Sequence, residues 1–241
     1  MSRAHPGGED VAAGDTLVHQ LDPRTKIIGL IALAGSSAIT PAGAWNAFGA
    51  YLAVLVLLVL LAELPGRYVA RRMTVEAPFL IAAAILPFTV EGGAALGATL
   101  ALKATIGVLA MVVLSSTTPF PLLLRGFEAL RAPRLLVTIV AFMWRYLHVV
   151  GAEVHRMHVA RQARAYQPRW LWQTGAIARG IGALFVRSLE RGERVYLAMA
   201  SRGYRGGLPA SVGPPLSLGA VDAVAAAALG AALAGVWLVL L

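Results

Sequence analysis

The 241-residue chain has no cysteine and only two lysines, Lys26 and Lys103. Without cysteine there is no disulfide, no thiolate nucleophile and no thiolate ligand for a metal. Neither lysine stands in a Gly-x-x-x-x-Gly-Lys-Ser/Thr loop, whose backbone amides and ammonium cradle phosphates, so the chain is not expected to hydrolyse ATP itself. The His-Glu-x-x-His zinc helix and the Gly-x-Ser-x-Gly nucleophile elbow are missing as well. So are paired acids inside the apolar runs, which a proton relay needs. An autonomous pump and a membrane hydrolase therefore have little support. No catalytic residue, metal site or cofactor site is expected in this chain.

Charge is scarce overall and acid is scarcer. Asp, Glu, Lys and Arg make up 14% of the residues, against about 25% in soluble domains. Twelve acids face 21 basic residues, for a net charge of +9, and all the basic residues except the two lysines are arginine. In a soluble protein such a balance suggests nucleic acid. Here long apolar runs offer a simpler cause, because cytoplasmic loops of membrane proteins collect Arg and Lys. No nucleic-acid partner is expected.

What the chain has in abundance is apolar sequence: 58% of its residues are hydrophobic, and its mean hydropathy is +0.71. Residues 1–21 are polar and mixed and do not read as a cleaved signal peptide. Residues 27–62 carry no charge and are broken by the turn residues Thr40 to Ala44, which predicts two spans, about 23–40 and 44–64. Asp22-Pro23 suits the start of the first, with Asp capping free amides and Pro at the first helical position. A short basic loop follows with Arg67, Arg71 and Arg72. A third run, 77–90, is shorter than the roughly 20 residues a span needs. A fourth covers about 95–118 and contains Lys103. The last follows Pro214-Pro215, with Asp222 near its start.

Residues 119–215 differ in kind. They hold fourteen arginines against four acids, keep helical periodicity, and offer no uncharged stretch long enough for a span; Leu135–Met143 is the nearest and runs into Arg145. They predict two or three long amphipathic helices at or below the membrane surface. The expected architecture is an all-α integral membrane protein of about five transmembrane helices. Its parts are a cytoplasmic segment 1–22, a four-helix membrane region 23–118, a cytoplasmic helical region 119–215 and a C-terminal span 216–241. Twenty of the 21 basic residues then fall in the N-terminal segment with the first turn of its span, the 64–76 loop and 119–215. The outer turns near 41–44 and 91–94 have none. That distribution satisfies the positive-inside rule only if 77–90 also crosses. Lys103 can snorkel from near the outer end of the fourth span.

Two helix ends stand out in the basic region. One long helix, about 135–165, ends in Ala160-Arg161-Gln162-Ala163-Arg164-Ala165-Tyr166. A second, about 180–202, ends in Met199-Ala200-Ser201-Arg202-Gly203-Tyr204. Arg145 and Arg156 share a face of the first. Arg187, Arg191, Arg194 and Arg202 lie along one side of the second, and Glu190 and Arg194 form an i, i+4 pair in the favourable order. Ser201-Arg202-Gly203 is also an ordinary C-cap, since Gly stops helices and Arg suits the last turn. That accounts for each end alone but not for two such ends in one basic block. His148, His155 and His158 have helical spacing that could hold a metal, yet Arg156, Arg161 and Arg164 around them repel a cation. An interface role suits them better. His5 and His19 carry less still.

These residues resemble a family. Leu21-Asp22-Pro23-Arg24-Thr25-Lys26 is similar to the opening of energy-coupling factor (ECF) transporter T components. Arg161-Gln162-Ala163-Arg164-Ala165 and Ser201-Arg202-Gly203-Tyr204 resemble that family's two x-Arg-Gly motifs. The stretch Arg187-Ser188-Leu189-Glu190-Arg191-Gly192-Glu193-Arg194-Val195-Tyr196 resembles the cobalt-type branch, CbiQ. The chain departs from the pattern at Ala165, where the family has Gly; there the helix is expected to run on to Tyr166, with Pro168 ending it soon after.

The resemblance implies a non-catalytic membrane subunit of an ATP-driven importer. It joins two cytoplasmic P-loop ATPase subunits to a membrane-embedded substrate-binding S component. Ala163, Arg164, Ala165, Ser201, Arg202 and Gly203 would be the ATPase-coupling residues, with Arg187, Glu190, Arg191, Glu193 and Arg194 supporting the second helix. The implied cargo is a transition-metal ion, cobalt first, with nickel or a vitamin as alternatives. The implied location is a bacterial or archaeal cell membrane, with the N-terminus and 119–215 cytoplasmic. A reading from another class is a basic membrane scaffold that binds anionic lipids.

Overall fold

The computed structural model describes residues 16–164, 175–204 and 219–240. Among these residues all regular structure is helical, in keeping with an all-α membrane protein. The chain divides into two compact units. One combines Met1–Leu130 with Gly213–Leu241, and the other is Arg131–Val212.

The first unit opens with a short turn of helix, α1 (Leu17–Gln20), followed by α2 (Pro23–Ile39). Asp22 caps α2 as expected: its carboxylate accepts the Arg24 N–H at 2.9 Å, and Pro23 occupies the first helical position. At the far end Thr40 turns its hydroxyl back to the Ser36 carbonyl at 2.8 Å, and Gly43 takes φ +93° in the turn. Helix α3 (Trp45–Leu61) follows. Ile27, Leu30 and Leu33 of α2 pack with Phe48, Tyr51 and Leu55 of α3, and Ile106, Leu109 and Val113 of α6 (Gly93–Thr117) complete the core.

The basic stretch expected as a loop at 64–76 is helical: α4 (Gly66–Met73) and a 3-10 turn (Thr74–Glu76) lead straight into α5 (Ala77–Thr89). This broken path runs antiparallel along α6. The Tyr68 hydroxyl lies 3.5 Å from the Ser116 hydroxyl, the Thr105 hydroxyl donates to Glu76 at 2.5 Å, and Ala83 and Leu86 sit against Gly97 and Gly93. The 77–90 run is thus the second part of a longer path, which is why it looked too short by itself. The glycines make the close approach possible: a Cβ on Gly97 would lie 2.5 Å from the Ala83 carbonyl oxygen, and one on Gly93 would run into that of Leu86. Gly92, at φ +73°, turns the hairpin.

Helix α7 (Phe120–Ala129) returns along α2, where Gly126 leaves room for Ile27 and Pro23. The last helix, α10 (Ala220–Leu240), packs on α2 and α3.

The second unit is built on α8 (Arg134–Ala163) and α9 (Gly175–Ala200). By length and composition α6 and α8 are the described helices able to cross a membrane; α3 and residues 222–237 of α10 are shorter apolar helices. For α8 this departs from the sequence expectation. Arg145 is the only Asp, Glu, Lys or Arg from Leu135 to Ala152, so the apolar stretch is twice as long as its uncharged part suggested. Leu135, Leu136, Met143 and Leu147 are all exposed along it.

Candidate functional site

The second arginine-tipped end is a built cap. After α9, Gly203 adopts φ +80°, its N–H bonds the Ala200 carbonyl at 3.0 Å, and the Tyr204 N–H reaches back to Met199 at 3.0 Å. The paired 5→2 and 6→1 bonds are a Schellman motif, in which the left-handed residue satisfies the last carbonyls. The Ser201 hydroxyl bonds the Ala198 carbonyl at 3.0 Å. Arg202 is the cap residue between them and is exposed. Its side chain enters no ion pair or side-chain hydrogen bond among the described residues, so its five donors are open to a partner.

The first end differs. Helix α8 closes at Ala163, short of the extension toward Tyr166. Arg164 follows at φ −90°, ψ 16°, with its N–H on the Arg161 carbonyl at 3.1 Å. Ala163 and Arg164 are exposed; Ala165 lies outside the described residues. Both tips therefore offer a guanidinium to solvent, but a left-handed glycine stop is described at Arg202 alone.

The two helices run antiparallel and cross near Gly180, which leaves space for Met157 and Arg161. Arg164 and Arg202 lie on opposite sides of that crossing. At 1.5 Å rise per residue they are on the order of 30 Å apart or more, so they address two contact points rather than one.

Of the residues expected to support α9, Arg187 pairs across the helices with Glu153, N–O 2.8 Å, and Glu153 also takes Arg156 at 2.5 Å. The predicted Glu190–Arg194 pair is not among the salt bridges of the described residues; both side chains are exposed, where such a pair contributes little. Glu193 is exposed and Arg191 half-buried. Glu153, beyond the apolar part of α8, escaped notice in the sequence because its partner is 34 positions away. The hydrogen bond from Arg156, then that from Arg187, holds its carboxyl below the usual range. Of the histidines, His148 stands edge-on to Trp144 with ring centroids 5.9 Å apart.

The Leu21–Lys26 stretch occupies a second polar centre, in the first unit. The Lys26 ammonium donates to the carbonyls of His19 and Thr117 at 3.1 and 3.0 Å and to the Thr118 hydroxyl at 3.3 Å. Asp222, from the last helix, accepts the Asp22 N–H at 2.6 Å. Sequence reasoning used these residues as a cap and a family signature and did not join them. The available signal was that Lys26 and Asp222 each stand near the start of an apolar run.

Known proteins sharpen the picture. The profile of the cobalt transport protein family CbiQ matches residues 14–212. Cobalt transport protein CbiQ of Rhodobacter capsulatus is 32% identical over 148 residues, 58% of this chain and 59% of that protein. Energy-coupling factor transporter transmembrane protein EcfT of Listeria innocua is 24% identical over 221 residues, 80% of this chain and 83% of its own. Nickel permease LarQ of Lactiplantibacillus plantarum is 35% identical over 101 residues, 40% of this chain and 35% of its own. The profile takes in both arginine-tipped ends and the Asp22–Lys26 stretch. The chain belongs to the CbiQ cobalt transport protein family.

Proposed function

We propose that this chain is the transmembrane T component of an ECF-type importer for a transition-metal ion, cobalt in the first place. It is a non-catalytic subunit whose α8 and α9 ends engage two cytoplasmic P-loop ATPases, while its membrane helices hold a substrate-binding S component. The observation that carries this reading is the exposed Arg202 on its Schellman cap, with a second exposed arginine, Arg164, across the helix crossing. A guanidinium at a rigid tip makes bidentate bonds to carboxylates in a groove, which fixes register as well as charge. Two tips tens of ångströms apart suit two ATPase subunits. Stiff helices can pass ATPase closure to the membrane part as a rigid-body tilt. The names of the relatives support an ECF subunit for cobalt or nickel; cobalt is favoured by the family match and nickel kept open by LarQ.

The test is Arg164→Glu with Arg202→Glu in the complete transporter. The double variant is expected to insert in the membrane at normal levels, lose its ATPase subunits on purification, and take up labelled ion at less than a tenth of the normal rate. Normal uptake by the double variant sinks the proposal. Parallel uptake of labelled cobalt and nickel by the unaltered complex decides the ion.

A further inference from the structure

Helix α10 is apolar almost throughout, yet among its residues with described side chains the one fully buried is an acid, Asp222. Both carboxylate oxygens are used. Oδ1 accepts the Asp22 N–H at 2.6 Å, and Oδ2 accepts the Gly219 N–H at 2.9 Å. Asp22 and Asp222 both interact electrostatically with Lys26, whose ammonium is itself fixed by three acceptors at the junction of α1, α2 and α6. The first and last long helices of the unit, 200 positions apart in sequence, are therefore joined at one end by a bonded polar cluster.

The opposite end is different. Ala232, Gly235 and Val236 of α10 face Gly43–Ala47 and Ala50 across a cavity of about 510 Å³. Between the two ends the contact is apolar: a Cβ on Gly29 of α2 would lie 3.0 Å from Leu229, and Leu229, Leu233 and Val236 are half-buried against the core. In a bilayer, apolar side chains leave lipid for a helix surface with little gain, so polar bonds and close packing hold helices together. The Asp222 cluster thus supplies the polar part of what fixes α10, and it does so at one end.

We propose that the Asp222–Asp22–Lys26 cluster is a fixed pivot for the last membrane helix, whose other end swings toward and away from α3 in the space of the cavity. The cavity end lies about 20 Å from the pivot by helical rise. A tilt of about 10° moves it by roughly 4 Å. Asp222 also stands twenty positions after Arg202, so the pivoting helix is the next described element after the α9 tip.

The chain lacks cysteine, so engineered pairs would be its only thiols. Gly29→Cys with Leu229→Cys reports the tethered side, and Ala47→Cys with Ala232→Cys spans the cavity. The full-length chain is oxidised in native membranes, and remaining thiols are counted by their gel shift with a maleimide polymer. The Gly29/Leu229 pair should close fast and almost completely, and the cavity pair at least tenfold more slowly but to completion. Asp222→Ala should slow the Gly29/Leu229 pair tenfold or more and bring the two rates together. Asp222→Asn, which keeps one acceptor for Asp22, should slow it about threefold and serves if the alanine variant fails to accumulate. Three outcomes overturn the pivot: a Gly29/Leu229 rate within twofold of the native value in both Asp222 variants, a cavity pair as fast as the tethered pair, or a cavity pair that never closes.

Discussion

In residues 16–130 and 219–240 a lysine, two aspartates, a glutamate and several threonines are buried and bonded, while in 131–164 and 175–204 most arginines stand in the open. The first unit buries some of its charges to hold itself together, and the second displays most of its own. The same residue change should therefore fail in different ways in the two. Loss of a buried charge partner leaves unpaired groups in a low-dielectric interior and costs the fold. Loss of an exposed arginine leaves the fold alone and costs a partner.

The largest effect is expected in the first unit. Lys26→Met strands the carbonyls of His19 and Thr117 and leaves Asp22 and Asp222 without their cation. Each buried acceptor left unmet costs about 1–3 kcal/mol. In detergent the variant should aggregate on size-exclusion chromatography, while the native chain stays monodisperse. A monodisperse Lys26→Met protein of unchanged melting temperature would erase the contrast between the units.

The next effect separates recognition from mere charge. Arg202→Lys keeps a cation at the α9 tip but loses the planar fork. A bidentate contact should weaken by about 1.4 kcal/mol, tenfold in ATPase retention, with melting unchanged. A basic scaffold that binds anionic lipid would tolerate the exchange, so unaltered retention of both ATPases and lipid vesicles favours that reading instead.

A smaller effect tests the cap. At Gly203 the backbone sits at φ +80° with open space around it, so Gly203→Ala meets no clash and pays only the left-handed penalty of an L-residue, about 1 kcal/mol. The α9 end should fray, and amide exchange at Tyr204 and Gly203 should quicken severalfold while exchange in α8 stays the same. Equal exchange in native and variant chains would mean that the Schellman bonds do not order the Arg202 tip.

How much of this could be read in advance follows from the range of each interaction. The starts of α2 and α3 were legible because Asp22-Pro23 and Thr40–Ala44 are local signals. The two helix ends at Arg164 and Arg202 were visible as motifs, and Gly203 announced its own left-handed turn. Residues 64–76 looked like a loop because α4 is short and basic; its continuity with α5 is decided by packing along α6, which no local pattern encodes. Pairing across sequence was also hidden. Asp222 meets Asp22, and Glu153 meets Arg187, through the fold alone. Conversely, the local rule that joined Glu190 to Arg194 described a surface pair too weak to form in water.

The smallest expected effect concerns Glu153, the acid that joins α8 to α9. Its carboxyl is held below the usual range, first by Arg156 and then by Arg187, so the pairing favours the charged form. A carboxyl with a depressed folded-state pKa contributes stability above its unfolded pKa, near 4.5, and loses that contribution as pH falls through the lowered value. The α8–α9 contact should thus be insensitive to pH from neutrality down to the ordinary carboxylate range, and loosen only below it. Glu153→Gln removes the charge at every pH. Spin labels at Val159 and Gly182, which leave the Met157–Gly180 contact in place, should report a slightly broader distance distribution in the variant at neutral pH, matching that of the native chain in strong acid. Because the pair is screened by solvent, the change should shrink further in high salt. A native distribution that broadens on raising the pH, or one that the Gln variant leaves untouched, would show that the crossing is held by the Gly180 packing alone.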